Sequence, residues 1–167
     1  IVGLFFDDLI DKWLYHWYIV AIMLIVYGIL FIVVENYQKG RKPKVTKMSQ
    51  LTVPMILIIG VFQMLALIPG TSRSGATIVG ALMIGVSRGL AAEYTFFLAI
   101  PVMFGASLVK LVKFGFDFTV MQAVLLVLGM AVSFAVSILA IKFLLGYIRK
   151  NDFKVFGYYR IVLGIVV

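Results

Sequence analysis

Long uncharged apolar runs constrain the fold of this chain more than any other feature of its sequence. Residues Tyr18 to Val34 contain no charged side chain, and a membrane-spanning helix needs roughly 17–25 mainly apolar residues. Two further spans are predicted at about Leu90 to Lys113 and Val120 to Tyr147, and a last, incomplete one starts near Val155. We therefore predict an all-α, polytopic integral membrane protein with about four transmembrane helices. We expect residues 1–167 to form a single membrane domain.

The composition supports a lipid environment and excludes several other classes of protein. Hydrophobic residues make up 63% of the chain, against about 45–50% in soluble domains. The absence of cysteine excludes disulfides and thiolate metal sites. The net charge of +8 comes mainly from basic residues in loops between apolar runs. That pattern is typical of cytoplasmic loops and not of a nucleic-acid-binding surface.

The segment Val53 to Val86 carries a permanent charge, Arg73, in the middle of a strongly apolar region. Three arrangements are open: one broken span, two full spans, or a re-entrant hairpin that enters the membrane and returns. As one helix the segment would be ~51 Å long, which exceeds a ~30 Å hydrocarbon core, and two crossings would need ~40 apolar residues. A re-entrant helical hairpin over about residues 53–86 therefore fits best.

The distribution of charge supports the same arrangement. A hairpin adds no net crossing, so the loops at 35–50 and 149–154 would lie on the same side of the membrane. Both loops are basic, as expected for the cytoplasmic side. We therefore place the acidic lead-in at residues 1–17 and the short turn FGFDFT at residues 114–119 on the outside.

The tip of this hairpin has the chemistry of an anion site. Pro69 and Gly70 end the entering half-helix, and the returning half-helix begins near Ser72 or Ser74. The N-terminus of a helix presents free N–H groups and the positive end of the helix dipole. The guanidinium of Arg73 adds a fork of donors that matches phosphate oxygens. The alternative is that Arg73 only pairs with a carboxylate or with carbonyl groups and pins the hairpin.

The stretch LALIPGTSRSGATIVGALMIGVSRGLAAEYTFFLAIP closely resembles the signature region of the undecaprenyl-diphosphate phosphatase family, the bacitracin-resistance membrane phosphatases. The pattern Pro-Gly-x-Ser-Arg-Ser-Gly-x-Thr is met from Pro69 to Thr77. GLFFDD near the start of the chain and YYRIVLG near its end look like flanking regions of the same family. The resemblance therefore covers essentially the whole chain.

This resemblance implies hydrolysis of undecaprenyl diphosphate to the monophosphate and inorganic phosphate, which recycles the lipid carrier of cell-wall polymers. It implies a divalent cation, Mg²⁺ or Ca²⁺, and inverted repeats with two re-entrant hairpins. It also implies a multi-pass protein of the bacterial inner membrane whose active site faces the extracytoplasmic side. The expected partners are a polyprenyl diphosphate and membrane lipids but no nucleic acid. A homodimer is a further possibility.

The chain departs from the family pattern in one respect. The other half-site of the family is a glutamate-rich segment with a Ser-Ser and a histidine, and no Glu-x-x-x-Glu occurs in this sequence. We therefore predict no metal ligand in this chain and expect the ligands in a missing N-terminal part. On this view the chain is the C-terminal half to two-thirds of the enzyme and is inactive alone.

The predicted site follows from the motif and the resemblance together. Arg73 would clamp the diphosphate, and Ser72 would be either the nucleophile or a hydrogen-bond donor to phosphate. Thr77 would donate to phosphate or bond back to its own helix. The predicted catalytic residues are Arg73, Ser72 and Thr77, and the predicted phosphate-binding residues are Gly70, Ser74 and Gly75. We expect Ser74 to cap the half-helix and the two glycines to let an oxyanion approach the backbone.

Other residues receive structural interpretations. We expect Glu93 to interact with its helix dipole or to pair with Arg88, and Arg160 to anchor the chain at the cytoplasmic interface. His16 is interpreted as an interfacial anchor. The small residues at 129, 133 and 137 recur every four positions and predict close helix packing.

Two other functions remain open at this stage. A transporter or flippase for an anionic lipid or small anion could use the same half-helix N-terminus. A non-catalytic structural subunit is the third possibility. A paired-glutamate hairpin upstream of Ile1 would favour hydrolysis over both.

Overall fold

The computed structural model describes residues 14, 16–114 and 119–167. Within these residues the chain forms six α-helices joined by loops and short 3₁₀ turns. They are α1 (Trp17–Gln38), α2 (Val53–Met64), α3 (Arg73–Met83), α4 (Arg88–Phe114), α5 (Val120–Lys150) and α6 (Lys154–Val166). The all-α prediction is confirmed. Most of the acidic lead-in and most of the FGFDFT turn lie outside the described residues.

Three of the helices in the described part of the chain have the length and composition to cross a bilayer: Trp17–Gln38, Arg88–Lys113 and Val120–Ile148. They coincide with the three complete spans predicted from the sequence. The sequence also marks two of the helix starts. A proline lies in the first turn of α2, where its missing N–H costs no hydrogen bond. Thr119 and Gln122 form a capping box at the start of α5.

Helices α2 and α3 form the predicted re-entrant hairpin. They have 12 and 11 residues, so each rises only ~16–18 Å and cannot cross a ~30 Å core. They pack tightly, because a Cβ added at Gly80 would lie 2.6 Å from the Phe62 ring. Val45, before α2, forms a parallel bridge with Val86, after α3. Both ends of the hairpin therefore lie at the same level, as predicted.

A buried carboxylate holds three helices together at that level. Glu35, near the end of α1, is 1% exposed and accepts hydrogen bonds from Arg88 Nε at 2.9 and 3.0 Å. The backbone N–H of Phe153, just before α6, also donates to Glu35 at 3.1 Å. We call this cluster of Glu35, Arg88 and Phe153 the junction. Pairing with Arg88, one of the two interpretations given for Glu93, is wrong, because the fold brings Glu35 to Arg88 instead.

The junction also confirms that the two basic loops lie on the same side, one part of the prediction from charge distribution. The loop after α1 and the loop before α6 meet at Glu35, and therefore lie at the same end of the molecule. Both loops are basic in sequence.

Helices α1 and α6 pack antiparallel through glycines. A Cβ added at Gly157 would lie 2.7 Å from the Gly28 carbonyl oxygen, and one added at Gly164 would lie 2.8 Å from that of Ala21. Such contacts are the usual basis of close helix approach in lipid. The prediction of close packing at positions 129, 133 and 137 is not met in the described structure. Those residues are exposed on α5, and a Cβ at Gly129 would meet nothing within 4 Å.

Candidate active site

The hairpin tip is held against the backbone of α1. Gly70 has a φ of 85°, a left-handed conformation that favours glycine. A Cβ at this position would lie 2.6 Å from the carbonyl oxygen of Val20 and 2.7 Å from its Cα. The structure thus explains Gly70 by close contact with α1. The sequence predicted a different role for Gly70, in which the glycine lets an oxyanion approach the backbone. That role stays a prediction.

This contact also fixes the depth of the tip. Val20 precedes Glu35 by 15 residues in α1, which corresponds to ~22 Å along the helix axis. The tip is therefore separated from the junction by most of a ~30 Å hydrocarbon core. The hairpin reaches far across the bundle before it turns back.

Helix α3 begins at the tip with a serine cap. Ser72 is the N-cap residue, and its Oγ accepts a hydrogen bond from the Gly75 N–H at 3.1 Å. The start of the half-helix near Ser72 is confirmed, but the predicted capping role of Ser74 is wrong. Ser74 instead places its Oγ 3.1 Å from the Ser72 Oγ. Since Ser72 bonds to the third N–H of the helix, the N–H groups of Arg73 and Ser74 have no acceptor within it.

Thr77 is tied into the hairpin rather than turned outward. It is 1% exposed, and its hydroxyl lies 3.1 Å from the Arg73 carbonyl and 3.0 Å from the Ser74 carbonyl. The same hydroxyl lies 3.0 Å from Thr95 Oγ1 on α4. The bond of Thr77 to its own helix, one of the two predicted roles, is thus observed. Donation to a phosphate stays a prediction.

Arg160 is the residue of this site that the sequence reasoning missed. Predicted to anchor the cytoplasmic interface, it lies half-buried at the hairpin tip, where Nη2 donates to the Gly70 carbonyl at 2.9 Å. Its Nε is buried without a hydrogen-bond partner in the described structure. Gly75 leaves room for this side chain, because a Cβ there would lie 3.0 Å from Arg160 Nη1.

A signal for Arg160 exists in the sequence. It follows Gly157 by three residues and precedes Gly164 by four, a spacing that places all three on one helix face. That face packs against α1, so Arg160 is directed into the bundle.

Two adjoining cavities flank the start of α3. Arg73 lines one, of about 280 Å³, and Arg160 lines the other, of about 380 Å³. Ser74, Thr95 and Phe96 contribute to both. The larger cavity is mostly apolar and extends to the opposite end of the bundle, where Ile148 and Phe153 line it. The tip therefore combines polar donors with space for a long apolar group.

The electrostatics of the tip favour an anion. Within residues 14, 16–114 and 119–167 the sole salt bridge joins Arg88 to Glu35, so no described carboxylate neutralises Arg73 or Arg160. The same residues contain no group of three His, Cys, Asp or Glu side chains that could hold a metal ion. Guanidinium and hydroxyl groups are poor ligands for Mg²⁺ or Ca²⁺, which prefer carboxylates and carbonyls. The described tip does not fit a divalent cation.

Comparison with known proteins agrees with the motif at the tip. The family model described as bacitracin resistance protein BacA matches residues 1–166. The chain is 60% identical to an undecaprenyl-diphosphatase of Desulfitobacterium hafniense, over 100% of this chain and 60% of that protein. It is 61% identical to those of Acetivibrio thermocellus and Enterococcus faecalis, over 100% of this chain and 61% and 60% of the relatives. The chain thus spans about three-fifths of their length, and it belongs to the BacA bacitracin resistance protein family.

Proposed function

We propose that the protein containing this chain is a membrane phosphatase that hydrolyses undecaprenyl diphosphate to undecaprenyl phosphate and inorganic phosphate. This reaction would recycle the lipid carrier of cell-wall polymers. The observation that carries the proposal is a pair of arginines at a deep hairpin tip without a described carboxylate partner. The names of the relatives, undecaprenyl-diphosphatase, support the same substrate.

The residues at the tip would bind and orient the diphosphate. Arg73 and the helix N–H groups beside it would hold phosphate oxygens, as helix N-termini commonly do. During hydrolysis a water oxygen bonds to the terminal phosphorus, the bond from that phosphorus to the bridging oxygen breaks, and negative charge grows on the bridging oxygen. Fixed guanidinium groups stabilise such charge more in the transition state than in the ground state.

Ser72 is the predicted nucleophile or phosphate donor. Its Oγ already accepts from Gly75 and lies within hydrogen-bond distance of Ser74. A serine nucleophile needs a base to take its proton, and no His, Asp or Glu is among its hydrogen-bond partners in the described structure. We therefore assign Ser72 to capping and phosphate binding in this part of the protein.

We retain Mg²⁺ or Ca²⁺ as the proposed cofactor on the basis of the family resemblance. Because the described tip does not fit a divalent cation, its ligands would have to lie elsewhere in the full-length protein, and no step is assigned to it.

The larger cavity supports an isoprenoid substrate. It is lined mainly by apolar side chains of α1, α4, α5 and α6 and opens beside Ser72 and Arg160. A diphosphate held at the tip could therefore place its hydrocarbon chain in this space. The mostly apolar lining matches a hydrocarbon chain in shape and polarity and offers few polar partners to a soluble diphosphate.

The same geometry supports an extracytoplasmic site. The basic loops and the junction lie at one end of the bundle, and basic loops usually face the cytoplasm. The tip lies ~22 Å from the junction along α1, towards the outer surface. We therefore infer a multi-pass protein of the bacterial inner membrane with an active site that opens outward.

The experiment is phosphate release from C55 diphosphate by the purified full-length protein. Arg73→Ala should lower the rate by roughly 10²–10³-fold, the usual cost of removing one donor to a transition-state oxyanion. Arg73→Lys should also be impaired, because a point charge does not reproduce the guanidinium fork. Lys113→Ala, which removes an exposed charge at the end of α4, is the matched control. Full activity in Arg73→Ala would contradict the site.

A transporter or flippase of an anionic lipid is the second candidate. The observation in its favour is that the larger cavity extends from the tip to the junction. Sealed vesicles with the labelled lipid on one side separate the two functions. Transfer of intact diphosphate without phosphate release would favour transport, whereas phosphate release with no transfer would favour hydrolysis.

A further inference from the structure

A third cavity lined by cationic side chains lies at the opposite end of the molecule from the two at the hairpin tip. Its volume is about 480 Å³, and it is formed where α1 ends, α4 begins and α5 ends. We call it the basic pocket. The lining residues are Gln38, Lys39, Gly40, Arg41, Pro43, Ser87, Arg88, Gly89 and Ile148. It therefore lies on the junction side, remote from the proposed phosphatase site.

The basic pocket carries uncompensated positive charge. Lys39 and Arg41 are exposed, and no carboxylate is among the lining residues. Arg88 also lines the pocket, but its Nε and Nη2 donate to Glu35, which neutralises it, so the unpaired charge of the pocket is that of Lys39 and Arg41. Arg41 is also oriented, because its guanidinium carbon lies 3.8 Å from the centre of the Tyr37 ring. This arrangement suits a phosphate-bearing ligand.

An apolar stripe leads from the basic pocket along the outer surface of α1. Tyr37, Val33 and Ile29 are 58%, 54% and 49% exposed. Their spacing of four residues places them on one helix face. A surface with cations at the membrane interface and apolar side chains in the hydrocarbon region matches a phospholipid. A soluble anion would make no use of the stripe.

We propose that the basic pocket binds the head group of an anionic phospholipid from the cytoplasmic leaflet, with its acyl chains along Tyr37, Val33 and Ile29. Basic pockets between helices on the cytoplasmic side bind such head groups in other membrane proteins. In this site Lys39 and Arg41 contact the phosphate. The site would hold a structural or regulatory lipid, distinct from the substrate.

The test uses full-length protein in detergent and three probes: phosphatidylglycerol, phosphatidylcholine and inorganic phosphate. Native mass spectrometry counts the retained lipid, and the shift in thermal unfolding temperature measures its effect. The pocket variant is Lys39→Gln with Arg41→Gln. The control, Lys42→Gln with Lys47→Gln, removes the same charge from exposed positions of the same loop outside the pocket lining.

The wild type should retain phosphatidylglycerol and not phosphatidylcholine. The pocket variant should bind phosphatidylglycerol at least tenfold more weakly, and the control should change less than about threefold. Equal losses in both variants would show diffuse attraction to the basic loop and overturn the proposal. Equal stabilisation by inorganic phosphate and by phosphatidylglycerol would also overturn it, because the ligand would then be a soluble anion.

Discussion

The junction and the hairpin tip each hold an arginine in a largely apolar bundle, but only the junction supplies it with a carboxylate partner. At the junction the buried carboxylate of Glu35 meets Arg88 and the Phe153 N–H. At the tip Arg160 donates to one carbonyl, and its Nε is buried without a partner among the described residues. No described carboxylate forms a salt bridge with Arg73 either.

This difference separates an arginine that maintains structure from one that is available to a ligand. A buried charge in apolar surroundings is costly unless it is paired and hydrogen-bonded. At the junction the protein itself supplies the opposite charge. At the tip an anionic ligand would supply it, and the cost of keeping the cation unpaired would be offset on binding.

The largest expected effect is a loss of stability at the junction. Arg88→Met leaves the Glu35 carboxylate buried without its cation, which typically costs roughly 3–5 kcal/mol. Chemical unfolding in detergent measures this loss. The double variant Glu35→Leu with Arg88→Met should recover most of it, since neither charge then remains. If the double variant recovers no stability, the ion pair does not account for the loss. If Arg88→Met leaves the free energy of unfolding unchanged, the role of the junction is contradicted.

At the tip the effect should fall on activity instead. Arg160→Met keeps most of the side-chain volume but removes the donors, so phosphate release should fall by roughly 10²–10³-fold. The free energy of unfolding should change by only about 1 kcal/mol, the value of one hydrogen bond. The two measurements are made on the same full-length preparation. A loss of stability as large as that of Arg88→Met would make Arg160 a second structural arginine and contradict the comparison.

Two glycines with positive φ allow a matched test of geometry. Gly70→Ala and Gly85→Ala both place alanine in a left-handed conformation, at a cost of roughly 1–2 kcal/mol. Gly70→Ala should cost about 1–3 kcal/mol more, because its Cβ would meet the Val20 backbone at 2.6 Å, whereas Gly85 would meet only the Lys44 side chain, at 3.3 Å. The rate of phosphate release should fall in Gly70→Ala and stay unchanged in Gly85→Ala. Equal effects in both would show that contact with α1 does not position the tip.

The smallest effects concern the hydroxyl pair between α3 and α4. Thr77→Val and Thr95→Val each break their mutual hydrogen bond, and each should lower stability by about 1 kcal/mol. If Thr77 also contacts phosphate, its variant should lose at least about tenfold more phosphate-release rate than Thr95→Val. Equal losses of rate would make Thr77 purely structural.

The hairpin was predictable because its evidence is local. The length of Val53 to Val86 and the basic loops on either side leave few arrangements. The start of α3 near Ser72 was predicted for the same reason, although the cap was assigned to Ser74 instead of Ser72. These features depend on neighbours in the chain and on the thickness of the membrane.

The missed features depend on contacts between distant residues. Arg88 and Glu35 are 53 positions apart, whereas Glu93, one of the alternatives considered as a partner of Arg88, is only five positions away. Arg160 reaches Gly70 across 90 positions. The small residues of α5 have the same four-residue spacing as a packing motif, but spacing does not reveal which helix has a partner. The glycines of α1 and α6 make that contact instead.

The most direct measurement is calorimetric binding of a non-hydrolysable, methylene-bridged farnesyl diphosphate analogue to the full-length protein. Charged hydrogen bonds contribute about 1.5–3 kcal/mol each, so the tip variant Arg73→Ala with Arg160→Met should bind it at least ~100-fold more weakly than the wild type. The junction variant Glu35→Leu with Arg88→Met should bind it as the wild type does. Wild-type affinity in the tip variant would contradict the assignment of the two arginines to the anion.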